Sequence, residues 1–209
     1  MTLKQATTAA IILAVTIAAT SILGVANAHN HEGEKPAMTG INVAALTLPE
    51  ITRGLEAGQF NSQDLTRAYL NRIDTIDRAG PTLNAVIAVN SSAMTLAKKS
   101  DMRRAKGEAL SPLDGVPFLL KDNIESKDRM PTTAGSTALV DNMTGRDSPL
   151  VARLRASGAI ILGKTNLSQW ANFRSSHSVS GWSAVGGLVK NPHVLDRQAC
   201  GSSSGSAAA

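Results

Sequence analysis

Gly158-Ala159-Ile160-Ile161-Leu162-Gly163-Lys164-Thr165 decides how this chain folds, because two readings compete for it. Letter for letter it fits G-x-x-x-x-G-K-[ST], the loop whose backbone N–H groups curl around a phosphate between a strand and a helix. Its four middle residues, Ala159, Ile160, Ile161 and Leu162, want burial instead. They cannot line a solvated anion cradle. ATP and GTP binding are therefore set aside, and residues 159–162 are read as a short buried strand.

The same alternation extends outward. Pro149 sits in the first turn of a preceding helix, with Leu150, Val151 and Leu154 facing inward and Gly158 closing it. Further upstream, Pro112-Leu113-Asp114-Gly115-Val116-Pro117 is turn chemistry. It leads into Phe118-Leu119-Leu120, a second buried run that delivers Lys121 at its end. Ala85 to Val89 is a third. Before and between these runs lie helix patterns. Leu48, Ile51 and Leu55 fall at helical spacing from Thr47 and stop at Gly58. Leu65, Tyr69, Ile73 and Ile76 form one stripe, from an N-cap at Ser62 to a stop at Gly80-Pro81, with Arg67, Arg72, Asp74 and Arg78 opposite. A polar helix runs over residues 92–106 and ends at Gly107. Helices alternating with wholly apolar strands predict an α/β layered fold whose sheet is covered on both faces. From Ser175 to Ser206 the composition shifts to Gly, Ser and Ala, a long segment of the kind that carries function.

The 209 residues suffice for one domain, and 43% hydrophobic with 18% charged residues is ordinary for a chain that buries a core. Aromatics are 3%, so that core is aliphatic. The net charge of +5 is scattered, without a basic block or interleaved aromatics, which argues against nucleic acid as a partner. One cysteine, Cys200, excludes an intrachain disulfide. At the N-terminus, Lys4 precedes an apolar run from Ala9 to Val25 that closes with Ala26-Asn27-Ala28. These are the parts of an export signal, with cleavage expected after Ala28 and an uncleaved membrane anchor as the alternative. Residues 29–40 read as a flexible polar leader in which His29 and His31 are solvated rather than metal ligands. Residues 41–209 remain for the folded part, expected in the periplasm or outside the cell.

Two serine chemistries compete. Gly201-Ser202-Ser203-Ser204-Gly205 satisfies G-x-S-x-G with Ser203 as nucleophile, but residues 194–199 make no convincing strand and no Asp or His follows. The second uses Lys121. A hydroxyl needs a base, and an amine at the end of a buried strand can be held uncharged by desolvation. Asp122-Asn123 beside it supply polar groups that could orient the site. From spacing alone, a surface lysine after a strand stays open and is the readier reading.

At this point three ordered landmarks resemble the amidase signature family. They are Gly115-Val116-Pro117-Phe118-Leu119-Leu120-Lys121-Asp122-Asn123-Ile124, then Gly158-Ala159 through Leu162-Gly163-Lys164-Thr165-Asn166-Leu167-Ser168, then Cys200-Gly201-Ser202-Ser203-Ser204-Gly205-Ser206-Ala207. The resemblance spans Leu46 to Ala209, and within the family it points to the bacterial peptide amidases. Trp170-Ala171-Asn172-Phe173-Arg174 and Ser180-Gly181-Trp182-Ser183-Ala184 carry that narrower likeness. It implies a mixed β-sheet covered by helices on both faces, incomplete in this N-terminal portion of the domain. It also implies a Ser–cisSer–Lys mechanism without metal or organic cofactor. Lys121 would be the base, and Ser202, held through a cis peptide bond, would relay protons to a second serine. Ser204 and Gly205 would open a helix, with Ser203, Ser180 and Gly181 in support. The family's nucleophile lies downstream of the signature, so these 209 residues by themselves are expected to be inactive. The substrate class implied is linear amides, foremost C-terminal peptide amides. A secreted pseudoenzyme or binding module, and the glutamine-hydrolysing component of a tRNA amidotransferase, are the alternatives. Gln169 stands where relatives often carry Glu, and Cys200 is expected to be small buried filler.

Overall fold

The computed structural model describes residues 41–209; the export signal, the leader and its histidines lie outside the described residues. Helix α1 (Leu48–Glu56) opens on a capping box, in which Glu50 accepts from both the backbone N–H and the hydroxyl of Thr47, at 2.7 and 2.6 Å. Ile51 and Leu55 are buried, but Leu48 is exposed. It shares their spacing yet sits in the first turn, where the helix overhangs the core. Helix α2 (Ser62–Arg72) is capped by Asn61, whose Oδ1 accepts from Asp64 N at 2.8 Å, one residue earlier than expected. Ser62 is inside the helix, and its buried hydroxyl donates to Gly115 O at 2.7 Å. From Ile73 to Arg78 the chain continues as a π-helix. There Asp77 is buried and caps the next strand, accepting from Ala85 N (2.6 Å) and Val86 N (3.1 Å).

The strands fall where the apolar runs lie. β1 (Val86–Val89), β2 (Pro117–Lys121) and β3 (Ile160–Thr165) form a mixed sheet in the order β1-β3-β2, with β3 parallel to β2 and antiparallel to β1. All six residues of β3 are buried, and it carries Lys164 and Thr165 within the strand, beyond its apolar core. Alternate side chains serve opposite faces. Ile160 and Leu162 pack with Ile73, Val86, Ala93 and Ala97 under α2 and α3 (Ala93–Ala105). Ile161 packs with Leu120, Met130 and Val151 beneath α4 (Pro149–Ala156). Each Ile, Leu, Val or Met side chain among these contributes about 1.5–3 kcal/mol on leaving water. Leu150, expected inside, is exposed, because the eight-residue α4 meets the sheet along one narrow stripe through Val151 and Leu154.

The turn entering β2 is organised by Asp114, which is fully buried. Its carboxylate takes the Arg103 guanidinium at 2.9 and 2.5 Å and Leu110 N at 3.0 Å. Gly158 stands at φ +85°, and a Cβ there would strike that carboxylate, so the close approach of α4's end to the turn requires glycine. Beyond β3, a short hairpin pairs β4 (Trp182–Ser183) with β5 (Gly187–Leu188), and α5 (Ser204–Ala208) ends the described chain. Among the described residues no helix is long and apolar enough to cross a membrane.

Candidate active site

β2 and β3 run parallel with Lys121 beside Thr165, so the lysine leaves the sheet at its strand-end edge. Burial pushes the Lys121 amine below the ordinary lysine range. Its Nζ lies 2.7 Å from Ser202 Oγ, 81 residues away in sequence. The Gly201–Ser202 peptide bond is cis. A hydroxyl within hydrogen-bonding distance of an amine whose charged form burial disfavours is a geometry that permits proton transfer between them.

Ser202 is held from the β3 side. Its carbonyl accepts from Ser168 N at 3.0 Å, and the Ser168 hydroxyl accepts from Gly181 N at 2.8 Å. Ser180 Oγ stands 3.5 Å from Ser168 Oγ and accepts from Asn172 Nδ2 at 3.2 Å. A Cβ on Gly201 would collide with Ser168 Oγ, so that position admits only glycine. Ser180 and Gly181 thus brace the loop bearing Ser202 and do not themselves reach the amine. Helix α5 begins at Ser204, which is buried with its hydroxyl unpartnered, while Ser203 is exposed just before it. Gly205 is buried against β3, with its N–H donating to Asn166 O at 2.9 Å, and a Cβ there would meet the backbone of Ala85 and Asn166. Ser206 Oγ reaches Thr165 Oγ1 at 2.7 Å.

Cys200 is a correction. It is exposed, not buried filler, and its backbone stands in the left-handed region at φ +57°. The chain turns at the surface immediately before the cis bond, leaving only Ala199 packed inward. Of the two polar residues after the lysine, Asp122 is buried with its carboxylate on Thr133 and beside Lys164, whereas Asn123 is exposed. Gln169 uses its side-chain oxygen, which accepts from Ala184 N at 2.9 Å, an acceptor role an amide fills without charge. Among the described residues no group of three His, Cys, Asp or Glu side chains is placed to hold a metal.

Two contributors escaped the sequence reading. Asn166 joins the site's layers: Nδ2 donates to Asn84 O (3.0 Å) and Gly187 O (3.2 Å), and Oδ1 accepts from Leu167 N (2.8 Å) and Ser183 Oγ (2.7 Å). Lys164, passed over with the false phosphate loop, is fully buried beneath the Lys121 turn. Its placement inside an apolar strand was the available signal.

Residues 64–209 match the Amidase family model, and the chain belongs to that family. Among solved structures it is similar to the native peptide amidase of Stenotrophomonas maltophilia, with 48% identity and a TM-score of 0.76 over 79% of this chain and 34% of that one. A probable amidase of Arabidopsis thaliana is 44% identical over 79% of this chain and 32% of its own length. The A component of the glutamyl-tRNA(Gln) amidotransferase of Coxiella burnetii is 40% identical over 78% and 32% respectively. The chain therefore spans about a third of the length of the curated relatives it matches.

Proposed function

We propose that this chain supplies the base and the proton relay of an amidohydrolase acting on linear amides, C-terminal peptide amides foremost. One observation carries the reading: a lysine amine lowered by burial stands 2.7 Å from a serine hydroxyl on a cis peptide. In the uncharged state Lys121 takes the Ser202 proton while Ser202 takes the proton of a second serine, which attacks the amide carbonyl. Ser202 then gives its proton to the departing nitrogen while Lys121 returns its own to Ser202, so that ammonia leaves, and water, deprotonated through the same pair, releases the acid from the acyl-enzyme. Backbone N–H groups beside the attacking serine hold the oxyanion. That second serine is expected on a segment downstream of the signature, so residues 1–209 alone are proposed to be inactive. Residues 1–28 are proposed to direct export, which N-terminal sequencing of the mature protein checks through a start at His29.

The likeness to the peptide amidase of S. maltophilia favours peptide amides, and the likeness to the amidotransferase component makes glutamine the substrate to compare. The test measures ammonia release from a peptide amide and from free glutamine. It uses an enzyme of the relatives' length that carries residues 41–209, with the 209-residue chain alone alongside. Preferred turnover of the peptide amide by the longer enzyme, and none by the short chain, is expected. Preference for glutamine would move the assignment to the amidotransferase branch, and no hydrolysis by the longer enzyme would leave a pseudoenzyme.

A further inference from the structure

A fully buried lysine is rare and requires partners. Lys164 has 0% exposure on the central strand, and the reaction proposed above does not use it. Its Nζ donates to Ile124 O at 2.8 Å and to Thr132 Oγ1 at 2.9 Å. The same Nζ stands 3.5 Å from Oδ1 of Asp122, which is 1% exposed. Asp122 in turn takes Thr133 through its carboxylate, from the N–H at 3.1 Å and from the hydroxyl. The groups gripped belong to two segments. One is the turn that follows Lys121, closed by Ile124 N on Lys121 O at 2.9 Å. The other is residues 132–134, tied back by Ala134 N on Asp122 O at 3.0 Å.

The next residue of the strand points to the other partner. Thr165 lies beside Lys121 in register and bonds Ser206, in the first turn of the helix that follows Ser202. Consecutive residues of β3 thus hold the two halves of the proton-transfer pair, Lys164 the lysine turn and Thr165 the serine helix.

We infer that Lys164, paired with Asp122, is a positioning residue that fixes the Lys121 amine against Ser202 from the opposite side of the sheet. The inference rests on the proposed function. A plain structural role is the weaker account: a buried ion pair is commonly matched or bettered in stability by apolar residues of similar volume. Both hydrogen bonds of Lys164 also land on or beside the turn that presents the base. The action is geometric. Burial is what lowers Lys121, and the elements packed against it, β3 and α5, carry no ionisable side chain other than Lys164. Asp122, with Asp128 and Glu125 beyond it, faces Lys164.

The experiment uses an enzyme of the relatives' length that carries residues 41–209 and the double variant Lys164→Met/Asp122→Asn, which leaves neither charge unpaired. We expect a folded protein whose kcat for a peptide amide falls about 100-fold, the cost of roughly 1 Å of misplacement, with KM unchanged. The rising limb of its pH–rate profile should move up toward the ordinary lysine range as water reaches the amine. A parent kcat and pH profile would overturn the inference. Should the double variant not fold, Thr132→Val removes one clamping bond: a lower kcat at constant KM supports the clamp, and a parent rate overturns it. Lys121→Ala run in parallel separates the two levels. A slow Lys121→Ala beside a parent-like double variant sinks the clamp alone, whereas a parent-like Lys121→Ala sinks the base assignment and the clamp with it.

Discussion

The proposed chemistry turns on whether Lys121 carries a proton, and burial weighs against the charged form. Because burial disfavours the charged amine, Lys121 releases its proton at a lower pH in the folded protein than in the unfolded chain. Between those two values the unfolded chain binds the extra proton, so stability rises with pH across that window and the site is penalised below it. Two effects of opposite sense follow at neutral pH. In an enzyme of the relatives' length that carries residues 41–209, Lys121→Met should abolish ammonia release while leaving the melting temperature equal to or above that of the unsubstituted enzyme, because the partly buried amine is gone. Ammonia release by the parent should climb with pH along a limb lying below the ordinary lysine range. A melting temperature several degrees lower in Lys121→Met at pH 7 would mean that the amine is charged and stabilising in the fold.

At the scale of elements, β3 holds the site together, and Asn166, just beyond its end, ties its surroundings through four side-chain hydrogen bonds. Its amide binds Asn84, Gly187, Leu167 and Ser183. Asn166→Ala leaves those groups buried without partners, a loss of about 3 kcal/mol when two or three stay unsatisfied. Urea unfolding should show the midpoint falling with the slope preserved; an unchanged midpoint would mean that water replaces the side chain without cost. Asn166 also marks where the sequence stops being legible. The strands could be read because Ile160, Ile161 and Leu162 announce burial by themselves; Lys121 stood out because an apolar run ends on it, but only the family resemblance gave it a role. The helix stripes gave Ile51, Leu65 and Val151, but Leu48 and Leu150 share those stripes and lie outside the core, since periodicity marks a face and not how far the core extends along it. Asn166, Lys164 and Thr165 act through the register of β3 on β2 and through contacts dozens of residues away. No local pattern encodes that register. Cys200 failed for the related reason that its exposure follows from a left-handed turn.

Across the whole molecule, the fold's work is to close a gap of 81 residues between an amine and a hydroxyl. β2 presents Lys121, the loop braced by Ser168, Ser180 and Gly181 presents Ser202, and β3 lies beneath both. If these two residues form one proton-transfer unit, removing either disables it and removing both costs little more. The decisive measurement is therefore a double-mutant cycle of kcat/KM for a peptide amide in an enzyme of the relatives' length: parent, Lys121→Ala, Ser202→Ala and the pair. The account predicts that each single variant loses about three orders of magnitude or more, on the scale of other activated-serine systems, and that the double variant is no slower than the slower single one. Losses that multiply, or a single variant that keeps near-parent turnover, would contradict it.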